Sequence, residues 1–593
     1  MRNVLIPLGC LLAGTLAAQA PLTCRVVDAE ERSALPYATV QVQGTTRGTI
    51  SNAEGRFQLP VLAPQDSIRI TYVGYRTVVL PFSALRNGGD VPLHRATVQL
   101  ATAEVRPGED LYDRVLAASA WLWNAPAVKS KLFFGMETHS EDQPVEVLQA
   151  YYSANFRAAM LTGLDFQQGR VGITPKNDRH FINFNTARAF ALLDIHAKVG
   201  AFPSSPFAHR NARSLKKDHQ AEWVSVGSGP DGVDHVRVVP RGDPRMGFTL
   251  DLWLKAGTAQ VRSLELSCTD CVQHPFVPLL PGGRIDAVDM RYEQTWSTSA
   301  PYLPEVMELE YHTTYSGNGF QESFHTQAVM HAFDLGSPFI PTLFPWTAGL
   351  EEYRMIAWMP ENPAFWQRMS PPLPTERQLR DQAFIAENDV RASAWYNEQE
   401  REYDLLRPIH TAWSPDARLD LGHVQRTWAP RANGLPDPNK VELKAYLYLA
   451  LDTTGRELQH YSMAVFDEMR SIHAAPAKPW TRAFLNIYFD LCELERRRME
   501  QALNEPGVDV ERARMIHTVH SKRLSDNLDD LMAQTRKGQA RTALTSWNEK
   551  VEEALGINNF VLLEALPTDF DLPVDPNCFP HPQVGVCVIG EPH

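Results

Sequence analysis

Short segments of alternating apolar and polar residues make up most of the first hundred residues. Five of them carry β-branched side chains and are separated by turn residues: TCRVVDA, YATVQVQG, GRFQLPV, SIRITYVG and RTVVLPF. Two-residue alternation of this kind is typical of strands in a half-buried sheet. Within the turn SNAEGRF, Gly55 can adopt the positive φ that other residues resist. The pattern therefore predicts a small, strand-rich domain over residues 21–103.

This domain also carries two short signatures, Gly55-Arg56-Phe57 and Val73-Gly74-Tyr75. The segment LPYATVQVQGTTRGTISNAEGRFQLPV, followed by ITYVGYRT, resembles the carboxypeptidase regulatory-like domain of Bacteroidota envelope proteins. The resemblance implies a transthyretin-like β-sandwich without catalytic residues. Such a module is an accessory domain found ahead of outer-membrane receptors and peptidases, so its name is no evidence for carboxypeptidase activity.

Longer alternating segments follow between residues 106 and 335, after one predicted helix. The helix carries Leu111, Val115, Ala118 and Leu122 on one face, and every second residue is apolar in GFTLDLWLKAG and EVMELEYHTT. Long antiparallel strands covered by a helix predict an open half-barrel. The segment FTLDLWLKAGTAQVRSLEL resembles the hairpin of lipoprotein-carrier (LolA-like) half-barrels, which implies a concave face able to hold acyl chains or peptides. The alternative is a scaffold whose concave face is filled by its own helix.

The remaining part of the chain contains two segments that differ in composition and in the spacing of their apolar residues. Residues 340–375 are rich in Pro and Trp, which predicts an extended connector anchored by aromatic side chains. Residues 376–566 have the apolar spacing of a mainly helical domain. Its predicted helices begin with the segment after residue 376 and continue at 455–474, 480–504, 508–536 and 540–555. The fold class is thus a mixed multidomain protein, with a β-sandwich, an antiparallel half-barrel and a helical C-terminal domain.

The segment TGRELQHYSMAVFDEM holds the best chemical candidate, because it contains a Glu-x-x-His spacing at Glu457 and His460. A zinc-peptidase helix places two His four residues apart, with a Glu beside the first to activate water. Residues 415–556 resemble a secreted zinc-peptidase family in the order of their segments. ARLDLGHVQ stands for its opening strand, RELQHYSM for its metal helix, AQTRKG for its Thr-x-His-Gly segment and QARTALTSWNEKVEEALG for its closing helix. The resemblance implies Glu457 as catalytic base and His460 as zinc ligand.

Two residues depart from that family at the positions that the chemistry needs. Arg456 stands at the first His position, and Lys537 stands at the His before Gly538. A guanidinium offers zinc no lone pair, and two cations repel a divalent metal. We therefore expect a degenerate, non-catalytic relative without a cofactor, with a zinc enzyme as the alternative. A carboxylate-rich metal site around His517 and His520 is a further possibility that needs Glu residues from neighbouring helices.

The N-terminus has the pattern of a signal peptide, residues 1–20. Arg2 precedes an apolar segment, and Ala17-Ala18-Gln19-Ala20 supplies the small residues of a cleavage site. No later segment reaches the roughly 20 apolar residues of a membrane-spanning helix. We expect an exported protein that is periplasmic, associated with the outer membrane, or secreted.

Six cysteines remain after cleavage, and an oxidising compartment favours disulfides. Cys578 and Cys587 bracket the Pro-rich tail 567–593, which is too short for a core of its own, so we expect a bridge there. Cys268 and Cys271 follow a strand rather than open a helix, which favours a structural bridge over a redox site or a zinc site with His274. The pairing of Cys24 and Cys492 stays open.

The net charge excludes one class of partner. The chain has 70 acidic and 57 basic residues, which argues against a nucleic-acid partner held by phosphate neutralisation. Three hypotheses remain for its function. The first is a non-catalytic envelope protein that binds another envelope protein, a glycan or a lipid; the second is a zinc-dependent peptidase that uses Glu457 and His460; the third is a lipid or lipoprotein carrier.

Overall fold

A computed structural model gives the architecture. It describes residues 22–95, 110–391, 409–424, 440–565 and 584–588. Within these ranges the gaps are 36–37, 44–47, 53, 60–64, 73–74, 177–179, 184, 199, 228–231, 279–281, 297–301, 318, 347–351, 360, 370–375 and 454–457. The predicted signal peptide, Arg456, Glu457 and Cys578 lie outside the described residues. Contacts between Cα atoms divide the chain into two compact units.

The first unit consists of two small sheets. Its strands are β1 Leu22–Asp28, β2 Thr39–Val42, β3 Gly48–Ile50, β4 Arg56–Leu59, β5 Ser67–Thr71, β6 Val78–Pro81 and β7 Gly89–Leu93. The sheet orders are β4-β1-β7 and β3-β2-β5-β6, and their apolar side chains share one core. Gly55 has a φ of 72°, as its turn predicts, and a Cβ there would lie 2.4 Å from the Val26 carbonyl oxygen. The predicted strands and the sandwich-like arrangement are confirmed, while β3 and β7 had no clear sequence signal.

The second unit is built around one open antiparallel sheet of ten strands. Its elements up to residue 333 are α1 Leu111–Trp123, β8 Val128–Ser140, β9 Gln143–Arg157, β10 Met160–Ile173, β11 Phe181–Asn183, α2 Thr186–Leu192, α3 Ala212–Asp218, β12 His219–Ser225, β13 Val233–Pro240, β14 Thr249–Lys255, β15 Val261–Cys268, β16 Phe276–Pro278, β17 Arg284–Trp296, β18 Pro304–Gly317 and β19 Phe320–Phe333. The strand order is β10-β9-β8-β19-β18-β17-β15-β14-β13-β12, so β10 and β12 are the edges. The predicted open sheet is confirmed.

One face of this sheet is apolar and is covered by helices from the same chain. Val115, Ala118 and Leu122 of α1 and Phe190 of α2 are buried in the core that the sheet forms on this side. The opposite face carries ion pairs that cross the strands, such as Arg291 of β17 with Glu265 of β15. Helices α1 and α2 thus pack on the apolar face of the sheet.

The C-terminal region of the second unit combines helices with a small sheet. Its elements are α4 Glu352–Trp358, α5 Pro363–Met369, α6 Glu376–Glu387, β20 His410–Ala412, β21 Val441–Glu442, β22 Ala445–Asp452, β23 Gln459–Asp467, β24 Ile472–His473, α7 Thr481–Leu503, α8 Val510–Gln534, α9 Arg541–Leu555, α10 Asn559–Ala565 and β25 Val584–Val588. The helices predicted at 480–504, 508–536 and 540–555 are confirmed as α7, α8 and α9. Leu544, Trp547 and Val551 of α9 are buried, as their spacing predicts.

Three local predictions for this region are wrong. The segment predicted as helix 455–474 contains β23, which pairs with β22 in an antiparallel hairpin. The predicted opening strand at residues 417–425 contains a 3-10 turn at Leu421–His423. The predicted connector 340–375 contains α4 and α5. For β23, pairing with a separate strand decides the conformation, which local composition does not report.

Within the described residues, no helix combines the length and the apolarity that a bilayer crossing requires. The described end of the chain, β25, lies between β11 and β16 in a three-stranded sheet. It is parallel to β11 and antiparallel to β16.

Candidate functional site

A small cavity lies where the edge strand β10 meets α5 and the β22–β23 hairpin. Its volume is about 60 Å³. We call it the β10 cavity, and its lining residues are Gln167, Gln168, Phe339, Asn362, Ala364, Phe365, Arg368, Ala450, Leu451, Asp452, Gln459, His460 and Tyr461. These residues come from five separate stretches of the chain, so the cavity exists only in the folded protein.

An irregularity in β10 brings two glutamines to the cavity wall. Phe166 pairs with Tyr152 and Gln168 pairs with Tyr151, so Gln167 is an extra residue in the ladder. Such a β-bulge locally disrupts the ladder and re-aims side chains, and bulges are common beside binding and active sites. Both glutamines line the cavity, although neighbouring residues of a regular strand point to opposite faces.

The two amides are buried but not fully hydrogen-bonded. Gln167 is only 6% exposed, and its side-chain Nε2 has no hydrogen-bond partner. Gln168 is 3% exposed; its Nε2 donates to Met359 Sδ at 2.9 Å, and its Oε1 has no partner. A buried polar atom without a partner costs about 1–3 kcal/mol. Two lining residues of the cavity thus each bury one side-chain atom without a hydrogen-bond partner.

An ion pair on another wall adds charge to the site. Arg368 of α5 donates to Asp452 Oδ2 of β22 from Nη2 at 3.1 Å and from Nε at 3.3 Å. The helix that carries Arg368 begins with Pro363, and Asn362 Oδ1 accepts from the Phe365 backbone N–H at 3.2 Å. Pro in the first turn and Asn as a cap are preferred at helix starts, so the local sequence determines where α5 begins.

Aromatic side chains pack behind this wall. Phe339 and Phe365 lie 5.8 Å apart between ring centroids, and Tyr151 lies 5.3 Å from Phe365. Burial raises the pKa of Tyr461, another lining residue. The polar groups of the cavity are therefore held by a rigid apolar frame, which is the usual composition of a small-ligand site.

Among the predicted site residues that the structure describes, His460 is the one that lies at this cavity. It sits on β23 opposite Leu451 of β22, not on a helix, so the side-chain spacing of a zinc-peptidase helix does not apply to it. Its Nε2 lies 3.2 Å from Asn504 Oδ1, and its Nδ1 is buried without a partner. The roles of His460 and Glu457 in zinc chemistry stay predictions.

Lys537, the second departure from the zinc-peptidase pattern, lies in the turn between α8 and α9. Its φ is 57°, and its backbone N–H donates to the Met532 carbonyl oxygen at 2.7 Å. No group of three or more His, Cys, Asp or Glu side chains among the described residues is arranged to hold a metal ion.

His517 and His520, the further metal candidates, have other partners. His520 Nδ1 lies 2.6 Å from Glu495 Oε1, whereas His517 Nε2 lies 3.0 Å from the Leu447 carbonyl oxygen. Glu493 accepts from Arg496 and Arg497. The structure thus brings His520 and Glu495 together, while His517 and Glu493 contact other groups.

Of the two predicted disulfides, only the one between Cys268 and Cys271 has both cysteines among the described residues. Cys268 and Cys271 face each other with Cα atoms 5.8 Å apart, which suits the expected bridge. Cys587 lies on β25 opposite Val277, while its expected partner Cys578 is outside the described residues. Cys24 and Cys492 are buried as free thiols, and burial raises the pKa of both.

Sequence reasoning missed Gln167, Gln168, Arg368 and Asp452. One signal was present, because DFQQGR places two consecutive polar residues inside a strand that otherwise alternates. Arg368 and Asp452 are separated by more than eighty residues, and nothing local in either segment indicates the pair.

Comparisons with known proteins add little beyond the first unit. No curated protein matches the chain. A LolA superfamily protein from Nitrosomonas europaea is similar at 10% identity over 39% of this chain and 96% of that chain, with a TM-score of 0.17. The Pseudomonas aeruginosa MucA/MucB complex is similar at 11% identity over 38% of this chain and 94% of that chain, with a TM-score of 0.15. Scores this low carry no argument about fold or function. Residues 22–103 match the family model of the CarboxypepD_reg-like domain, which confirms the N-terminal domain.

Proposed function

We propose that this protein is a non-catalytic binding protein of the cell envelope and that it binds a small polar group in the β10 cavity. The observation that carries the proposal is the lining of the β10 cavity, where segments distant in sequence bring Gln167, Arg368 and Asp452 together beside apolar side chains. A few polar groups among apolar ones are the usual composition of a small-ligand site. The envelope location rests on the signal-peptide pattern of residues 1–20.

The lining chemistry supports binding rather than catalysis. The described lining contains no Ser, Cys or Thr that could act as a nucleophile, and its carboxylate, Asp452, is already paired with Arg368. A nucleophile needs an adjacent base that is free to take its proton. The same lining offers amide, guanidinium, carboxylate and imidazole groups, which suit hydrogen-bonded recognition.

The lipid-carrier alternative has less support. A carrier needs an open apolar groove, whereas helices α1 and α2 cover the apolar face of the ten-stranded sheet. Lipid binding at that face would require both helices to leave buried positions.

A thermal-shift screen of the purified chain tests the proposal. The probes are single amino sugars, amino acids and dipeptides at millimolar concentration. A compound that binds only the folded state raises the melting temperature. We expect stabilisation of the wild type, loss of the effect in Arg368→Gln, and retention in Arg291→Gln, a matched control on the charged face of the sheet.

Two results would overturn the proposal. One is a screen without any stabilising compound, or with stabilisation that Arg368→Gln leaves unchanged. The other is about one zinc per chain in protein purified without chelator, lost in His460→Ala together with peptide hydrolysis. The second result would establish the zinc-peptidase alternative.

A further inference from the structure

We propose that two histidines on the charged face of the ten-stranded sheet, His312 of β18 and His325 of β19, bind a divalent transition-metal ion of the class of Cu²⁺ and Zn²⁺. This site is separate from the β10 cavity and from the zinc ligands that the sequence predicts. It rests on the register of the strands, on the contact between the two rings and on a carboxylate beside one of them.

The register of three neighbouring strands places three histidines in one row. His312 is directly opposite His325, and His139 of β8 is directly opposite His325 on its other side. Such pairs have Cβ atoms about 4.5–5.5 Å apart on one face of the sheet. Glu310 contacts both Arg291 and His325, so the row lies on the charged face. His312 is exposed and the His325 side chain is 31% exposed, so an ion in solution can reach both.

The rings of His312 and His325 already lie side by side. Their centroids are 4.1 Å apart and their planes differ by 2°. Imidazole nitrogens bind Zn²⁺ at about 2.0–2.1 Å, so two nitrogens that share one tetrahedral ion are about 3.3 Å apart. The present separation of the ring centroids exceeds that value by less than about 1 Å. A small rotation of the exposed His312 side chain is therefore enough to bring both rings to one ion.

A carboxylate orients His325 for this role. Its Nε2 lies 2.8 Å from Glu310 Oε1, which leaves Nδ1 as the nitrogen that can bind a metal. Histidines that bind metals usually donate their other ring N–H to a carboxylate or a carbonyl group, which fixes the ring and raises its basicity. His139 has a similar contact, with its Nε2 3.0 Å from Glu137 Oε1.

Two protein ligands leave the other coordination positions of the ion open. The described residues contain no complete group of three His, Cys, Asp or Glu ligands, so water occupies those positions. The site therefore differs from a structural zinc site, in which four protein ligands enclose the ion. Nitrogen and oxygen ligands bind Cu²⁺ more tightly than Ni²⁺ or Zn²⁺, which makes Cu²⁺ the most sensitive probe.

Electron paramagnetic resonance of the full chain with one equivalent of Cu²⁺ tests this inference. We expect coupling of the copper to two imidazole nitrogens in the wild type, and loss of this coupling in His312→Asn and in His325→Asn. Glu310→Gln keeps both imidazoles and should weaken Cu²⁺ binding about tenfold. The matched control is His235→Asn on β13, which should leave the spectrum unchanged, because the His235 ring lies on the same face but stacks on Trp253.

The exposed position of His312 makes its variant the decisive one, since the substitution removes little buried contact. A wild-type spectrum without coupling to two nitrogens overturns the inference. So does a spectrum that His312→Asn leaves unchanged, or one that His235→Asn alters as strongly as His312→Asn. None of these three outcomes affects the proposed binding at the β10 cavity, because neither His312 nor His325 lines it.

Discussion

The helical C-terminal region and the edge strands β9 and β10 both bury polar side chains, but they satisfy them differently. On α7, Glu493 lies between Arg496 and Arg497, and Glu495 lies between Arg498 and His520. On β9 and β10, Glu146 has only neutral donors, and each of the two glutamines keeps an atom without a partner.

The difference shows which buried polar groups find partners within their own helix and which depend on distant segments. Most partners on α7 are three or four residues apart, so one helix satisfies its own carboxylates. The glutamines of β10 face segments that are distant in sequence, and those segments leave their atoms unused. Four predictions test this comparison.

The largest effect is expected at Glu146, whose pKa burial raises to about 8. Asn183 donates to this carboxyl group from its backbone N–H and from Nδ2. Because the folded pKa exceeds the unfolded value of about 4.3, Glu146 contributes stability that is complete below pH 4 and is lost as the pH rises through 8. The free energy of unfolding should fall by up to about 1.4 kcal/mol per pH unit within this window.

Glu146→Gln should remove this pH dependence. The measurement is urea unfolding at several values between pH 5 and pH 8, with the difference between wild type and variant isolating this one group. A difference that is constant across the window would contradict the buried, cation-free carboxyl group.

The second effect is expected at His520. It is buried on α8 and contacts Glu495, whose side chain is only 1% exposed. His520→Ala removes a hydrogen bond to a buried carboxyl group and leaves a cavity, so it should lower the free energy of unfolding by about 2–4 kcal/mol. His460→Ala is the comparison, because His460 is only partly buried and contacts the neutral Asn504 side chain, so its loss should cost less than about 1 kcal/mol. If His520→Ala and His460→Ala lowered the free energy of unfolding by the same amount in urea, the proposed difference between the two regions would be contradicted.

The third effect has the opposite sign. Gln167→Met replaces a buried amide whose Nε2 has no partner with an apolar side chain of similar volume. We expect the free energy of unfolding to rise by about 1 kcal/mol, because the cost of the unpaired donor disappears. Gln220→Met is the matched control, because Gln220 is exposed on β12, the other edge of the same sheet, and it should stay within about 0.5 kcal/mol of the wild type. A lower melting temperature for Gln167→Met would mean that the amide is part of the structural network.

The smallest effect is expected one residue further along. Gln168→Met removes the unpaired Oε1 but also the contact of Nε2 with Met359. The two contributions oppose each other, so the stability should change by less than about 0.5 kcal/mol. A gain as large as that of Gln167→Met in the same thermal scan would show that the Met359 contact contributes nothing.

Much of the fold was predictable because its signals are local. Alternation predicted five strands of the first unit and, in the second, the strands β14 and β18, and apolar spacing predicted α1, α7, α8 and α9. The failure at residues 455–474 has a physical reason. QHYSMAVFD has no strict period, and its conformation is set by pairing with AYLYLALD of β22.

The candidate site was predictable only at His460. Gln167 acquires its position from a bulge in the pairing of β10 with β9, and Arg368 meets Asp452 through the packing of α5 against the hairpin. Neither the bulge nor the packing of α5 corresponds to a recognisable motif in the local sequence. The placement of His460 on a strand also removed the helical spacing on which its predicted role depended.

By itself, the sequence determined the signal-peptide pattern, the regulatory-like domain, the open sheet with its covering helix, and the main C-terminal helices. These features follow from the periodicity of apolar side chains, which acts over a few residues at a time. The tertiary structure alone decided that β10 carries a bulge and that two neighbouring glutamines there each bury an atom without a partner. Hydrogen-bond satisfaction depends on which distant segments meet, and no local pattern records that.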